Sequence, residues 1–495
     1  MKRSKFSLSH YKLVTHEMGR MIPIGCQEVL PGDTFQHATS ALVRLSPMLA
    51  PVMHPVEYKI HHWFVPHRLV WDEWETFITG GNTGNEIPTV PYMEASTFDA
   101  EYEGKLLDYF GVDPLTVTDK PDFRVSALPF RAYQLIFNEF YRDQDLVNPQ
   151  TIVKTSGVDT TTARDVRSVA WAKDYFTTAR PWEQKGDAVT IPFLDNAPVV
   201  GDGTQPSLST LTGTDFTNGS LIHTGNEVRV NTIGVGTPTD VKWNNSGLQA
   251  DLSSASAVSI NDLREAFALQ RYKEARARYG SRYTEYLAYL GVRSADSRLQ
   301  RPEYLGGGKQ TLQFSEVLQT ADDGNQGVGS LKGHGIGALR SNRYRKFFQE
   351  HGYIISLAFA LPRSIYMQSC PRSFLRRTKE DFWQKELEHI GQQEVWEGEI
   401  YSKAPETYGV FGYQDRYDEY RHAQSSVSGE FRNVLDYWHM ARNFATKPTL
   451  NGDFVTSLPT DRIYASTDTD PLYVMINHSI QARRMLSRKG NSFIK

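Results

Sequence analysis

The chain has 495 residues, and its 54 Lys and Arg against 57 Asp and Glu give a formal net charge of −3. This charge excludes a polycation that binds nucleic acid through its overall charge, so any such contact requires local patches. Two cysteines exclude a disulfide-based scaffold. The most apolar run, 353–361, is too short to cross a membrane as a helix.

The N-terminus is basic but has no apolar run behind it, unlike a secretory signal. We therefore expect a soluble protein that is made in a cytoplasm. The chain contains 25 Tyr and 25 Phe. Aromatic side chains supply much of the contact area in cores and interfaces, so this content favours many strands and large buried interfaces.

Residues 1–65 predict an all-β start. Segments 21–29 and 34–44 are strand candidates on either side of the turn-forming Pro31-Gly32. Residues 56–64 alternate between two sets of side chains and are rich in β-branched and aromatic types, which predicts a half-buried strand. Pro66 cannot donate to a sheet ladder, so we expect this strand to end there.

Helical spacing follows this strand. Trp71, Trp74 and Phe77 recur at three residues, which predicts a short helix that ends at Gly80-Gly81. Residues 130–142 repeat aromatic side chains at the same spacing and predict a second helix.

Composition divides the chain into three predicted parts. Residues 1–150 are expected to hold N-terminal strands and helices, and 261–495 helices, the remaining strands and a C-terminal tail. Residues 151–260 form a polar insertion between them. From 201 to 260, 30 of 60 residues are Ser, Thr, Gly or Asn. This is too polar for a core layer, and a long polar excursion is usually a surface feature that often binds a partner.

The last third of the chain alternates helices, strands and turns. Residues 259–279 and 283–290 predict two helices, whose arginines and lysines either bind nucleic acid or pair with neighbouring glutamates. The glycines at 303–308 and 333–337 predict turns or loops. The sequence also predicts strands at 310–318, 347–361, 393–401 and 472–476, and a capped helix at 378–390.

The sequence contains no arrangement typical of a catalytic or metal site. Motifs of zinc proteases, serine hydrolases, phosphate loops and dinucleotide-binding turns are missing from the sequence. His61 and His62 are neighbours in a predicted strand, so their side chains point to opposite faces and cannot share a metal without a bulge. We therefore predict no catalytic residue, no metal ligand and no cofactor, and we interpret these histidines as structural.

Two basic segments are candidates for contact with phosphate. The first is Arg372, Arg376, Arg377 and Lys379, interleaved with Phe374 before a predicted helix N-terminus, where anions are favoured. Its alternative role is pairing with carboxylates of a neighbouring subunit. The second is the N-terminal group Lys2, Arg3 and Lys5, whose alternative is a solvated, partly disordered terminus.

Six stretches, in this order, resemble the major capsid protein of the Microviridae, small bacteriophages with single-stranded DNA, and its gokushovirus-like branch in particular. They are 28–35 (EVLPGDTF), 64–74 (FVPHRLVWDEW), 296–308 (DSRLQRPEYLGGG), 371–395 (PRSFLRRTKEDFWQKELEHIGQQEV), 411–421 (FGYQDRYDEYR) and 438–454 (WHMARNFATKPTLNGDF). Each fragment alone is modest, but six in order across the chain are specific.

The resemblance implies an all-β fold with helical insertions, built on an eight-stranded antiparallel jelly roll with long inter-strand loops. It implies sixty copies in a T=1 icosahedral shell around circular single-stranded DNA, assembled in the cytoplasm of a bacterial host. The implied partners are an internal scaffolding protein, a DNA pilot protein, a small basic DNA-binding protein and a host surface receptor reached by outer loops, with no membrane insertion. The polar insertion is expected to form a protrusion near the threefold axes.

Five tryptophans are candidates for core or assembly contacts: Trp63, Trp71, Trp74, Trp383 and Trp438. An alternative function is a glycan-binding or glycan-cleaving jelly roll whose polar residues 201–260 form the carbohydrate surface. A shell subunit should lose particle formation when Trp383 or Trp438 is truncated. A glycan-cleaving enzyme should instead lose activity on one carboxylate substitution.

Overall fold

Two antiparallel β-sheets form the centre of this protein, with helices inserted between their strands. The computed structural model describes residues 3–94, 104–113, 123–189, 199–201, 207–210, 220–224, 227–231, 239–245, 248–250, 260–279, 282–293, 295–318 and 331–488.

The strands are β1 Ser4–Ser7, β2 His10–His16, β3 Arg20–Val29, β4 Thr34–Leu45, β5 Val56–Pro66, β6 Tyr92–Glu94, β7 Arg124–Ser126, β8 Arg167–Ser168, β9 Val199–Gly201, β10 Ser207–Thr210, β11 Ser220–Thr224, β12 Glu227–Asn231, β13 Thr239–Asn245, β14 Leu248–Ala250, β15 Glu303–Thr311, β16 Gln313–Leu318, β17 Leu331–Arg340, β18 Tyr344–Phe347, β19 Gly352–Pro362, β20 Gln392–Trp396, β21 Val410–Asp415 and β22 Leu472–Arg484. The α-helices are Trp74–Thr79, Leu106–Tyr109, Leu128–Ile136, Tyr175–Thr178, Ile260–Tyr279, Tyr283–Tyr289, Glu397–Ile400 and Gly452–Val455.

The first sheet has seven strands centred on β4 and β22, which pair from Leu45–Leu472 to Thr34–Arg483. β17 and β18 pair with the free edge of β4, and β1 and β2 with the free edge of β22. The second sheet has five strands in the order β15-β5-β19-β3-β8. The first and last strands in chain order thus pair in the first sheet, which sequence periodicity alone does not show.

The two sheets pack face to face around one apolar core. Val43 and Val474 of the first sheet lie in the same cluster as Ile24, Tyr58 and Ala358 of the second. Alternate residues of each strand point into this layer, as expected when two sheets bury one face each. The protein is therefore a β-sandwich with helical insertions, and the predicted fold class is confirmed.

The second sheet is also covered on its other side. Trp63 and Val65 of β5 lie in a second core cluster together with the helix Leu128–Ile136. The Trp63 indole N–H donates to the Tyr141 hydroxyl at 2.8 Å, in the π-helical turn after this helix. The prediction that β5 is half-buried was therefore wrong, because a helix layer covers the face that alternation assigned to solvent.

Two glycine-rich segments predicted as turns or loops are strands, β15 and β17. Glycine is required there by close packing: a Cβ at Gly333 would lie 2.1 Å from the Ala50 carbonyl oxygen. A Cβ at Gly307 would lie 2.3 Å from the carbonyl oxygen of Ile60. These glycines permit close backbone approach within the sandwich, a role that sequence alone does not separate from turn formation.

The predicted helix at 378–390 was also wrong. Two 3₁₀ turns, Lys379–Asp381 and Lys385–Leu387, occupy this region. The backbone N–H groups of Trp383 and Gln384 donate to the hydroxyls of Tyr420 and Tyr417, each at 3.2 Å. A tertiary contact thus satisfies the donors that a helix would have used. The helices predicted at 259–279 and 283–290 are present.

The chain separates into two compact units, Met1–Lys185 with Glu274–Lys495, and Gly186–Lys273. Within the smaller unit, β10, β13, β12 and β11 form a four-stranded antiparallel sheet, and β9 pairs with β14. The division at 150 and 260, and the protrusion expected of the polar insertion, stay predictions.

Candidate assembly and nucleic-acid surfaces

Arg372, the first cation of the predicted phosphate segment, is buried. Its guanidinium Nη1 lies 2.7 Å from Glu399 Oε1 and donates to the Glu394 carbonyl at 2.6 Å. Its other face lies over the Trp396 ring, with Cζ 3.8 Å from the ring centroid. All of these partners belong to the same chain, so Arg372 acts in the structure as the centre of an internal ion pair.

Glu399 completes this pair from the interior. It is fully buried and accepts hydrogen bonds from the Tyr175 hydroxyl at 3.0 Å and from the Trp396 backbone N–H at 2.9 Å. Burial raises the pKa of the Glu399 carboxyl, and the Arg372 guanidinium opposes this rise. The oxygens of this buried carboxylate already accept hydrogen bonds from several donors, so its role is structural.

The other three cations of the segment differ in exposure. Arg376 pairs with Glu419 at 3.2 Å and lies over Tyr420, with Cζ 4.4 Å from the ring centroid. Arg377 is exposed and stacks on Tyr408 at 3.8 Å. Lys379 has 87% of its side chain exposed and approaches Glu380 at 3.6 Å. Arg372 and Arg376 thus direct their charge inward, and the phosphate contact predicted for the segment stays a prediction.

The N-terminal candidates lie along the first sheet. Arg3 donates to the Gly32 carbonyl and to Thr34 Oγ1, each at 3.0 Å, and its Cζ lies 5.5 Å from the Phe347 ring centroid. Lys5 is exposed on β1 opposite Arg483. Lys2 lies outside the described residues. Strand β1 begins at Ser4, so the alternative of a disordered terminus does not hold from this residue onward.

The five candidate tryptophans separate into core and surface residues. Trp63 and Trp71 are buried in the core cluster under the helix layer, and Trp74 packs against this cluster. Trp438 is half-buried beside Phe431. Trp383 is 50% exposed. Only Trp383 therefore presents a large apolar surface, and the assembly role of all five stays a prediction.

Trp383 lies in a segment that has further exposed apolar side chains. Phe374, Phe382 and Ile390 from the same part of the chain are also exposed, Phe374 by 80%. Large exposed apolar side chains that form one patch are typical of a protein interface. We call residues 374–390 the aromatic segment.

A buried histidine network between the two sheets was not predicted. His37 Nε2 lies 3.1 Å from His478 Nδ1, and Thr39 Oγ1 lies within 3.0 Å of both nitrogens. His62 Nδ1 lies 2.8 Å from Ser356 Oγ, and His478 Nε2 lies 3.0 Å from the Ile24 carbonyl oxygen. Burial lowers the pKa of His37 to about 3 and that of His478 to about 4.

The network could not be found from sequence spacing. His37 and His478 are far apart in the chain, and only the register of β4 with β22 brings them together. His61 contacts a different partner, the Tyr141 hydroxyl at 2.6 Å. The two neighbouring histidines of β5 thus serve separate hydrogen-bond networks.

The chain matches one protein-family model from residue 1 to residue 493, described as Capsid protein (F protein). The chain belongs to this phage capsid family. Three curated relatives carry the name Capsid protein VP1. That of Bdellovibrio phage phiMH2K is 36% identical over 94% of this chain and 90% of its own length.

The relative from Chlamydia phage 1 is 34% identical, over 94% of this chain and 91% of its own length. That of Spiroplasma virus 4 is 31% identical, over 92% of this chain and 87% of its own length. The resemblance to Microviridae capsid proteins is therefore confirmed, and the chain is a major capsid protein of a small phage. Its family indicates a structural role in the virion and assembly into a capsid.

No helix within the described residues is both long and apolar enough to cross a membrane.

Proposed function

We propose that sixty copies of this chain assemble into a T=1 icosahedral shell that encloses circular single-stranded DNA. The family match across residues 1–493 carries this proposal, because it covers the sandwich and its insertions together. The structure adds a rigid two-sheet body with long connections, the arrangement that leaves loops available for contacts between subunits.

The aromatic segment supports contacts between copies. Phe382 and Trp383 lie between two 3₁₀ turns, where the backbone N–H groups of Trp383 and Gln384 donate to the hydroxyls of Tyr420 and Tyr417. Burial of apolar surface drives most protein association, at about 25 cal/mol per Å² removed from water. A preformed apolar surface loses little conformational entropy when it binds, so it suits a closed symmetric shell.

Net charge supports the proposed partners. Sixty copies at −3 each sum to −180, so the shell as a whole cannot neutralise the genome phosphates. We infer that local basic patches act together with a small basic DNA-binding protein, polyamines or metal cations. A scaffolding protein, a DNA pilot protein and a host receptor complete the proposed set, and assembly takes place in the bacterial cytoplasm. Native mass spectrometry of full particles should detect such counter-charge, and DNA packaged without it would contradict the inference.

Electron microscopy of the purified full chain, alone and with a co-expressed scaffolding protein, tests the proposal. Shells of one uniform small diameter are expected. A chain that stays monomeric in both cases, or particles that do not have icosahedral symmetry, would contradict it.

Trp383→Ala should abolish particles while the circular dichroism spectrum is unchanged, because the side chain is half exposed. Leu458→Ala, at an exposed apolar residue outside the aromatic segment, is the matched control and should assemble. Trp438→Ala is expected to reduce assembly and also to disturb packing within the subunit, since its half-buried ring lies beside Phe431. Normal assembly of Trp383→Ala would remove the aromatic segment from the interface.

A glycan-binding or glycan-cleaving protein was the alternative. The family assignment favours the shell subunit instead. If a carboxylate substitution abolished hydrolysis of a glycan while particles still formed, an enzymatic role would have to be added to the structural one.

A further inference from the structure

The outer face of the seven-stranded sheet carries a cluster of cations that the sequence did not reveal. In β4 the odd positions 35 to 45 face the core, so the even positions face outward. Residues of the neighbouring strands that pair with these even positions face outward too. Six cations occupy these outward positions: Lys5, Arg44, Lys332, Arg340, Arg345 and Arg483. We call this surface the basic sheet face.

Within the described residues, none of these cations is paired with a carboxylate. Asp470, at one edge of the face, accepts a hydrogen bond from Thr15 Oγ1 at 2.8 Å. The outward positions of β1, β2, β22, β4, β17, β18 and β16 contain no Asp or Glu. None of the six cations forms an ion pair or hydrogen bond with another residue in the part of the chain that the structure describes. Arginines and lysines on a folded surface usually have carboxylates among them, so this face has an unbalanced positive field.

Apolar and aromatic side chains lie between the cations. Leu13, Met475, Leu42 and Ala338 form one row across four strands in register. Tyr11 and Leu13 are 70% and 78% exposed. Tyr473 lies beside Arg44 on the neighbouring strand, and Phe347 lies beside Thr34. The face thus carries both rings and positive charge along the eleven residues from position 34 to position 44, which span about 33 Å.

This combination identifies the ligand class. Isolated cations attract any polyanion, but exposed rings between them match a flexible polyanion with flat apolar groups, which is single-stranded nucleic acid. A second copy of the same face is disfavoured because it would place like charges opposite each other. We infer that the basic sheet face binds single-stranded DNA without sequence preference, with phosphates at the arginines and bases stacked on Tyr11 and Tyr473. This inference rests on the proposed enclosure of a DNA genome.

Salt dependence of binding separates the two kinds of contact. Oligothymidylate binding to the purified full chain should weaken as salt rises, with a slope of about −0.7 per phosphate contact. Arg44→Gln/Arg483→Gln removes two contacts, so the slope should fall by about 1.4 and the affinity about tenfold at low salt. Tyr11→Ala should reduce affinity about tenfold with the slope unchanged, because stacking releases no counterions.

The matched control is Lys154→Gln/Lys403→Gln, which removes two exposed cations that belong neither to the basic sheet face nor to the segment from Arg372 to Lys379. It should leave both slope and affinity within about twofold of the parent, since neither side chain belongs to the basic sheet face. Equal slopes for the parent and Arg44→Gln/Arg483→Gln would overturn the inference. A larger effect of the control than of the sheet-face variant would do the same.

Particle formation distinguishes failure of this inference from failure of the proposed function. Arg44→Gln/Arg483→Gln should form shells of normal size with less packaged DNA. Leu13→Asp/Met475→Asp tests whether the face contacts protein instead. If this variant blocks assembly while the arginine variant binds DNA normally, the face is a protein interface and the inference is wrong, but the capsid function stands. If the parent itself forms no shell, the proposed function fails.

Discussion

Two arginine-rich regions of this protein differ in what lies opposite the charge. Around Arg372 and Arg376, Glu399 and Glu419 lie within ion-pair distance, and Trp396 and Tyr420 cover the guanidinium planes. On the basic sheet face the cations form no ion pair among the described residues. The arginines of the first region are close together in the sequence, and their charge is neutralised within the chain.

The difference has a simple physical origin. A buried guanidinium is tolerated only when a carboxylate and further hydrogen-bond partners compensate for its lost hydration. Cations on an exposed strand face stay hydrated and need no partner. Charge that is adjacent in sequence thus predicts a basic segment, whereas free charge at the surface depends on which residues alternate outward.

The largest expected effect comes from breaking the buried pair. Glu399→Ala should lower the free energy of unfolding by about 3 kcal/mol, because the buried Arg372 loses its nearer carboxylate and keeps only the longer contact to Glu419, at 3.7 Å. Urea denaturation of the unassembled subunit measures this. Arg372→Met/Glu399→Leu removes both charges and should recover most of the loss. If the double variant is no more stable than Glu399→Ala, the loss comes from packing and not from the unpaired charge.

The second-largest effect is expected from the histidine network. Its buried imidazoles are tolerated in the core because they are uncharged, and not because a carboxylate pairs with them. The folded-state pKa values of His37 and His478, about 3 and about 4, lie below the ordinary 6.5. The unfolded chain therefore binds more protons as pH falls from about 6.5 to 4, and stability decreases over that range. His478 alone should contribute about 3 kcal/mol of this loss.

Denaturation midpoints between pH 7.5 and 4 measure this dependence. His37→Gln and His478→Gln should each show a shallower decrease than the parent, whatever their stability at pH 7.5. Identical pH slopes in parent and variants would show that the network does not titrate as the geometry implies. Tyr344, Thr39, His10 and Lys12 also face the network and are kept unchanged in this comparison.

The smallest effect is expected on the basic sheet face. Arg44→Gln/Arg483→Gln should change the free energy of unfolding by less than about 0.5 kcal/mol, because neither arginine has a partner among the described residues. Differential scanning calorimetry of the unassembled subunit checks this at neutral pH. A loss comparable to that of Glu399→Ala would show that these cations have structural roles, and the contrast between the regions would disappear.

Sequence periodicity predicted the strands that are long and rich in β-branched residues, such as β4 and β5. It failed where a residue type has two uses. Gly307 and Gly333 permit close backbone packing inside strands, although glycine more often indicates a turn. Residues 378–390 have a capping box and helical spacing, but the hydroxyls of Tyr417 and Tyr420 take the backbone donors.

The same limits apply to the surfaces. Arg372 and Arg376 can be recognised as a cluster in the sequence. Their partners, Glu399 for Arg372 and Glu419 for Arg376, come from later segments, so the neutralisation could not be predicted. Arg44 and Arg483 lie at opposite ends of the chain, and only the pairing of β4 with β22 brings them onto one face. Strand alternation predicts that each of the two side chains faces outward, but it does not predict that they lie on the same face.

Ultraviolet crosslinking of DNA inside purified particles, followed by mass spectrometry of the attached peptides, tests the central claim most directly. The account predicts crosslinks at Tyr11 and Tyr473 on the basic sheet face, reduced in particles of Arg44→Gln/Arg483→Gln. Crosslinks confined to the segment from Arg372 to Lys379, with none on the sheet face, would contradict it.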